Sequence, residues 1–277
     1  MSDTWGEEPL FGIFRKIKKL YPKVPLISFY EGDFHLYLKK AAWPQQWDIG
    51  AICKLTRQVG PDTIIELGCG EGRITWNLLQ DGFSGRILGI DNSISAEEGF
   101  RERFRAEPRA EFALGDITQP PRHSTTADLV VMGNVTVNSF LNDDDVKAVF
   151  AHMDRSLTAH GHAIIGVYQD SVPERFTQLS GAMDAVQLTD ANGVQRLLWR
   201  GVDYQDRDFR QNYFIEYQDS RHPGVLGVLR ERIWVSSEIQ ALAEESGFTL
   251  RDVEITAVDQ GGANGWPVDA LLLQKGS

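Results

Sequence analysis

The sequence predicts an α/β fold in which a mostly parallel sheet flanked by helices is joined by an antiparallel sheet. From about residue 60 to 170, short apolar runs alternate with helical patterns, which is typical of parallel strands connected by crossover helices. After Asp170 the chain changes to alternating polar and apolar runs, which favour antiparallel strands. With 277 residues, 42% of them hydrophobic, the chain can bury a substantial core.

The parallel part is built from five predicted strands, each ended by a polar or glycine-rich turn. The expected strands cover residues 63–67, 86–91, 111–114, 128–132 and 162–167. The helices between them are predicted to end at Gly82, near Arg105 and at Gly161, and the last of the three is expected to begin at Asn142.

An inserted antiparallel sheet is expected after the fifth strand. Asn192-Gly193 separates two strand-like runs and predicts a tight hairpin, and two further alternating runs follow near 209–217 and 225–234. Ser237 and Gln240 then form a capping-box pattern for a helix that stops at Gly247. Two final strands, near 250–258 and 270–274, complete a sheet of seven.

The composition argues against a polyanionic or membrane partner. Asp and Glu number 39 against 28 Lys and Arg, and the formal charge of -11 would repel nucleic acid. No apolar stretch approaches the roughly 18 residues of a membrane span, and 2 cysteines are too few for a disulfide framework. The sequence therefore predicts a cytoplasmic protein with neither nucleic-acid nor membrane partners.

The most informative stretch is the glycine-rich segment 66–72, at the turn between the first strand and its helix. Glycines at such a turn let the backbone pass close to a ligand, and a tight turn without a ligand is the alternative. A dinucleotide-binding fingerprint would need a third glycine at position 73, where the chain has Arg73. The glycines stand instead at 68, 70 and 72.

This segment resembles the first motif of the class I S-adenosylmethionine-dependent methyltransferases, which reads acid-x-Gly-x-Gly-x-Gly. The residues that match it are Glu66, Gly68, Gly70 and Gly72. The resemblance implies a Rossmann-like fold and S-adenosyl-L-methionine as cofactor. It also implies that Asp91 accepts hydrogen bonds from both ribose hydroxyls and that Asp116-Ile117 lies near the adenine. The alternatives are a helix N-cap for Asp91 and a plain turn residue for Asp116.

Within this family, the sequence most resembles the bacterial small-molecule and natural-product methyltransferases. Phe29-Tyr30 and Tyr37 match their N-terminal aromatic pattern, which implies a catalytic place for Tyr30 near the sulfonium and a cofactor contact for Tyr37. Core packing is the alternative for both tyrosines. Such relatives use an inserted sheet as a lid and often as a dimer contact, so the resemblance implies an acceptor lid and a homodimer through the insert.

The transfer site is expected at 133–136, after the fourth strand. Asn134 can hold the acceptor or the cofactor through its amide, or can simply form the turn. His222 and His35 are the candidate bases, and His222 can also be an ordinary turn residue. The Asn-Pro-Pro-Tyr type of segment that is used on planar amines is absent, which disfavours DNA bases and glutamine amides. No cluster of metal ligands accompanies the turn, so no metal is predicted.

These observations together predict a methyltransferase that acts on a small-molecule acceptor, with N-methylation of an amine favoured over O- or C-methylation. A nicotinamide-dependent reductase and a protein that binds S-adenosylmethionine without transferring methyl are the other hypotheses. The expected domains are an N-terminal helical cap (1–50), a Rossmann-like cofactor domain (51–184 and 236–277) and an antiparallel lid (185–235).

Overall fold

The computed structural model describes residues 9–32, 34, 47–189, 193–217, 223–255 and 266–276. Among these residues, no helix is long and apolar enough to cross a membrane. The chain forms two compact units, a smaller one from residues 1–45 and 173–233 and a larger one from 46–172 and 234–277. The sequence-based division differs, because it kept the N-terminal segment apart from the inserted sheet.

The helices and strands are numbered in chain order. The helices are α1 (Gly12–Leu20), α2 (Ile49–Val59), α3 (Arg73–Gln80), α4 (Ile94–Arg103), α5 (Asp143–Ser156), α6 (Val172–Leu179) and α7 (Ser236–Glu245), with a 3-10 helix at Thr136–Ser139. The strands are β1 (Leu26–Ser28), β2 (Thr63–Leu67), β3 (Arg86–Asp91), β4 (Ala110–Leu114), β5 (Ala127–Met132), β6 (Leu157–Tyr168), β7 (Met183–Thr189), β8 (Gln195–Gln205), β9 (Asp208–Glu216), β10 (Gly224–Arg232), β11 (Phe248–Ile255) and β12 (Val268–Lys275).

The larger unit is a seven-stranded sheet with a helical layer on each face. Its strand order is β11-β12-β6-β5-β2-β3-β4, and all neighbours are parallel except β12, which is antiparallel to both β6 and β11. Successive strand residues point to opposite faces, so Ile65 joins the core beneath α5 and α7 while Ile64 joins the core beneath α2 and α3. The predicted α/β fold class is confirmed.

The polar ends of the parallel strands lie at one edge of this sheet. Because β2, β3, β4 and β5 run in the same direction, their carboxyl ends meet there. Strand order reverses at β2, whose two neighbours are β3 and β5. In open α/β sheets, ligands bind at such a reversal, outside the carboxyl ends of the strands.

The smaller unit is a five-stranded sheet in the order β1-β10-β9-β8-β7. Strand β1 pairs in parallel with β10, and the other neighbours are antiparallel. Helix α1 covers one face, where Phe14 packs on Phe214 and Leu226. The opposite face carries an aromatic cluster that includes Phe29, Phe34 and Tyr213.

Two predicted helix boundaries were wrong. Helix α5 ends at Ser156 rather than at Gly161, because Leu157 is already extended and pairs with Ala127 of β5. Helix α7 begins directly after Val235, whose N–H donates to the Glu238 carboxylate at 3.2 Å, in place of the predicted Ser237 cap.

Two other predicted features reach beyond the described part of the chain. The residues 190–192, which belong to the predicted hairpin turn, lie outside it, although β7 and β8 do pair antiparallel up to Thr189 and Gln195. Residues 256–258 of the predicted sixth strand of the larger sheet also lie outside it, and β11 ends at Ile255.

Candidate active site

The glycine-rich segment connects β2 to α3 in a conformation that excludes side chains at two positions. Gly68 and Gly72 have φ of +65° and +82°, where side chains are strained. A Cβ on Gly68 would lie 2.6 Å from Thr136 Cγ2, and one on Gly72 would lie 2.4 Å from the Phe104 ring. The loop after β2 therefore packs closely against the segment after β5 on one side and against the C-terminal end of α4 on the other.

Hydrogen bonds hold the same loop to the end of β3. The N–H groups of Gly68 and Cys69 donate to the Ile90 carbonyl at 2.8 and 3.1 Å. The Gly70 N–H donates to Asp91 Oδ2 at 2.8 Å. The position of the Asp91 carboxylate is thus set by the glycine loop itself.

Asp91 is not the cap of the helix that follows it. Ser93 is the N-cap of α4, and its Oγ accepts from the Ala96 N–H at 3.2 Å. Asp91 Oδ1 accepts from the Ser93 N–H at 2.9 Å instead, and the side chain is partly exposed. Each carboxylate oxygen holds one backbone N–H and can accept a second hydrogen bond, which leaves one acceptor site per oxygen for a diol.

The segment after β4 combines a polar turn with apolar surface. Asp116 is exposed, and its Oδ1 accepts from the Thr118 N–H at 2.9 Å and hydroxyl at 2.7 Å, which is the bonding of a turn residue. Ile117 is buried in the core of the larger unit.

Sequence reasoning missed Ile94 and Leu114, two apolar side chains that are 63% and 50% exposed. Leu114 stands opposite Asp91 in the register of β3 and β4.

Glu66 is buried and bound to the first turn of α3. Its Oε2 accepts from Thr75 twice, from the N–H at 2.9 Å and from the hydroxyl at 2.5 Å. Burial raises the pKa of this carboxyl to about 7, against the lowering effect of the Thr75 bonds. Helix N-termini commonly bind anionic groups of a ligand through their free N–H groups, and here the Glu66 side chain already accepts one of those N–H groups.

The turn after β5 holds two consecutive residues in the left-handed region. Asn134 and Val135 have φ of +51° and +50°, and a β-branched residue such as Val135 is rare there. Strained backbone of this kind persists where the surroundings enforce it and clusters at functional sites. The Asn134 side chain is exposed, and its backbone N–H donates to Asp48 Oδ2 at 2.9 Å.

A buried ion pair connects this turn to the glycine loop. Arg73 binds Asp48 through two parallel hydrogen bonds, Nη1 to Oδ1 at 2.6 Å and Nη2 to Oδ2 at 2.7 Å. Asp48 is 1% exposed, so the pair lies away from water. The role of Asp48 escaped sequence reasoning, since its partners stand 25 and 86 positions further along the chain.

The remaining predicted site residues belong to the smaller unit or lie outside the described residues. Tyr30 is 38% exposed, its ring meets Phe29 edge-on with 5.9 Å between centroids, and its hydroxyl bonds to the Glu231 carboxylate. Tyr37, His35 and His222 lie outside the described residues, so their predicted roles stay predictions.

Metal and thiol chemistry find little support in the described part of the chain. It contains no group of three or more His, Cys, Asp or Glu residues that could hold a metal ion. Cys53 and Cys69 are both buried, and burial raises the pKa of Cys53 to about 11 and that of Cys69 well above its usual value. Neither thiol is a ready source of thiolate.

Comparisons with known proteins were made by family, by sequence and by structure. Residues 64–161 match the family model of a methyltransferase domain. A search of curated protein sequences finds no significant match.

Several solved structures share the fold. An S-adenosylmethionine-dependent methyltransferase from Clostridium acetobutylicum superposes with a TM-score of 0.68 at 16% identity, over 88% of this chain and 97% of that chain. The amino pentose methyltransferase CalS10 from Micromonospora echinaspora, solved with bound S-adenosylmethionine, gives 0.63 at 17% identity, over 87% and 96%. The sugar N-methyltransferase KedS8 from Streptoalloteichus gives 0.68 at 12% identity, over 89% and 94%. The fold is that of S-adenosylmethionine-dependent methyltransferases, as the sequence predicted.

Proposed function

We propose that this chain, whose residues 64–161 match the family model of a methyltransferase domain, transfers the methyl group of S-adenosylmethionine to an amino group of a small molecule. The observation that supports the proposal most directly is the carboxylate of Asp91, held by the glycine loop with one acceptor site open on each oxygen.

The residues at the carboxyl edge of the larger sheet fit this cofactor. A Cβ on Gly70 would meet nothing within 4 Å, so there is open space over the middle of the loop. Asp91 would accept the two ribose hydroxyls, and the exposed apolar surface of Ile94 and Leu114 would pack against the adenine ring. When bound, the cofactor supplies a methyl group that is already activated by a sulfonium. The chain therefore needs to align the acceptor and exclude water.

The turn after β5 is proposed to align the acceptor. Its strained backbone is anchored by the bond from the Asn134 N–H to Asp48, which leaves the Asn134 side chain exposed. The amide of Asn134 would hold the acceptor or the cofactor. An amine has only to arrive unprotonated, whereas a hydroxyl needs a general base or a metal to react at neutral pH.

The acceptor class is taken from structural relatives and from charge. CalS10 acts on an amino pentose and KedS8 is a sugar N-methyltransferase, and we extend amine methylation to this chain as part of the proposal. The formal charge of -11 favours a neutral or cationic acceptor over a polyanion. O- or C-methylation of a natural product is the alternative within the same class.

Acceptor recognition is assigned to the smaller unit, whose sheet has one aromatic face. We also assign the predicted lid role to this unit, and we include the N-terminal segment in the proposed lid because β1 pairs with β10. A homodimer through this unit stays a prediction, which light scattering of the purified protein would test.

A nicotinamide-dependent reductase is disfavoured by the surroundings of α3. A dinucleotide places its pyrophosphate at the N-terminus of the first helix. Glu66 already accepts the Thr75 N–H there, so this N–H is not available to a phosphate. The remaining alternative to a methyltransferase is a protein that binds S-adenosylmethionine but does not transfer its methyl group.

The test is incubation of the full chain with methyl-labelled S-adenosylmethionine and a panel of amino sugars and other small amines. We expect S-adenosylhomocysteine to form together with an acceptor that has gained one labelled methyl group on nitrogen, as located by mass spectrometry and NMR. Label on oxygen or carbon would support the alternative acceptor atoms. Tight cofactor binding with no S-adenosylhomocysteine across the panel and across metabolite extracts would contradict a methyltransferase.

A further inference from the structure

Glu231 is an acidic side chain on the aromatic face of the smaller sheet. It lies two residues from Leu229 along β10, so both side chains point to the face that carries Phe29 and Tyr213. Its partner across the strands is Phe209, which is 5% exposed. The Tyr30 hydroxyl donates to its carboxylate. A single carboxylate is thus set among aromatic rings.

No cation among the described residues offsets this charge. The neighbours Arg230 and Arg232 point to the opposite face, as strand alternation requires, and Arg230 is paired there with Asp208 at 2.9 Å. Burial raises the pKa of Glu231 to about 7, and the bond from Tyr30 opposes that rise. Isolated charge in apolar surroundings is unfavourable, and a cationic partner removes much of the penalty.

We propose that Glu231 and Tyr30 bind a protonated amino group of the acceptor, an assignment that rests on the proposed function. This ammonium is a second amino group and not the one that is methylated, because the reacting amine must be unprotonated. The ammonium would supply the positive charge that the described residues do not. Aromatic faces add to the attraction, because their quadrupole favours a cation. Tyr30 is 38% exposed and Glu231 is partly buried, so a small ligand can reach the pair.

The other ionisable groups around the pair have different chemistry. Asp184 and Arg200 form an ion pair, which lowers the pKa of Asp184. The Tyr213 hydroxyl is bonded to Gln211. Glu31 is next to Tyr30 in the chain, and Glu174 and Arg175 lie on α6 beside Phe176, which packs on Phe209. Arg207 donates to the Ile233 carbonyl at 3.4 Å, two residues beyond Glu231. Ammonium binding should therefore weaken as the pH falls through about 7, where Glu231 takes up a proton.

The test uses the full chain and two probes of similar shape, benzylamine and benzyl alcohol, titrated at pH 8 and followed by NMR. We expect benzylamine to bind at least about tenfold more tightly than the alcohol, which is the effect of one charge-assisted hydrogen bond. Glu231→Gln should remove that preference, and Glu231→Asp should keep part of it. Tyr30→Phe should move the pH midpoint of binding upward. Glu216→Gln, an exposed carboxylate of the same sheet, should change nothing.

Two outcomes would overturn the assignment: equal affinity for both probes in the unaltered protein, or benzylamine affinity that is unchanged in a folded Glu231→Gln variant. Calorimetric titration of the same samples with S-adenosylhomocysteine separates this result from the proposed function. Failure to bind S-adenosylhomocysteine would contradict the methyltransferase proposal while a Glu231-dependent preference for benzylamine still supported the ammonium site.

Discussion

Replacement of Asp91 tests the proposed cofactor site most directly. Its carboxylate accepts the Gly70 N–H at 2.8 Å and the Ser93 N–H at 2.9 Å, so it has a structural role as well as the proposed one. If both ribose hydroxyls donate to the open acceptor sites, Asp91→Ala removes two hydrogen bonds to a charged group. Each such bond contributes roughly 1.5 to 3 kcal/mol. Affinity for S-adenosylhomocysteine should then fall at least about 100-fold, since 1.4 kcal/mol is about tenfold.

The same variant also leaves two backbone N–H groups without their acceptor, so a loss of stability must be separated from a loss of affinity. Asp128 provides the matched control. Its Oδ2 accepts the N–H groups of Asp62 and Thr63 at 3.0 and 3.1 Å, at the opposite edge of the same sheet. Asp128→Ala should lower the melting temperature by a similar amount and leave cofactor affinity unchanged.

Calorimetric titration with S-adenosylhomocysteine and thermal melts of both variants decide the matter. Asp91→Asn adds a third comparison, because one amide oxygen replaces the two anionic acceptors that a diol would use. An affinity within about threefold of the unaltered protein in both Asp91 variants, with folding intact, would refute the ribose assignment.

Three further results are expected. Burial favours the protonated form of Glu66, so the stabilising contribution of this group is present below pH 4.5 and is lost as the pH rises to about 7. In denaturant titrations, the free energy of unfolding of Glu66→Gln should exceed that of the unaltered protein by about 3 kcal/mol above pH 7 and should equal it near pH 4.5. Arg73→Met leaves the buried Asp48 carboxylate without its ion-pair partner and should reduce the free energy of unfolding by about 3 to 5 kcal/mol. The control Arg57→Met, at an exposed pair with Asp81, should change the free energy of unfolding by less than about 1 kcal/mol. A chelator should leave methyl transfer unchanged, and activity that is lost in chelator and restored by magnesium would contradict this.

The parallel strands were predictable because each is a short apolar run closed by a local turn signal. The predicted 63–67 and 86–91 match β2 and β3, and residues 111–114 and 128–132 differ from β4 and β5 by one residue at the start. The end of α5 was not predictable in the same way. Gly161 is a good local stop signal, but pairing of Leu157 with β5 ends the helix earlier.

Long-range contacts account for the site residues that sequence reasoning missed. Strand β1 has only 3 residues, and its place is set by β10, about 200 positions away. Asp48 stands alone before a helix, and only folding brings Arg73 and the Asn134 turn to it. Glu231 lies in the sequence Arg-Glu-Arg, which looks like a solvated strand end, and the register of β10 on β9 places it opposite Phe209.

The contrast between Glu66 and Asp91 explains how a glycine-rich loop of this type can serve a cofactor without phosphates. The two acids lie at or next to the ends of neighbouring strands, yet Glu66 is buried and bound to Thr75 at the start of α3, while Asp91 stays partly exposed with acceptor sites open. The Glu66 carboxyl occupies a backbone N–H at the helix N-terminus that a phosphate would otherwise accept. The partly exposed carboxylate of Asp91 can accept hydrogen bonds from hydroxyl donors. S-adenosylmethionine carries a diol and no phosphate, so an Asp91 carboxylate with open acceptor sites beside an occupied helix N-terminus favours it over a dinucleotide independently of the glycine spacing.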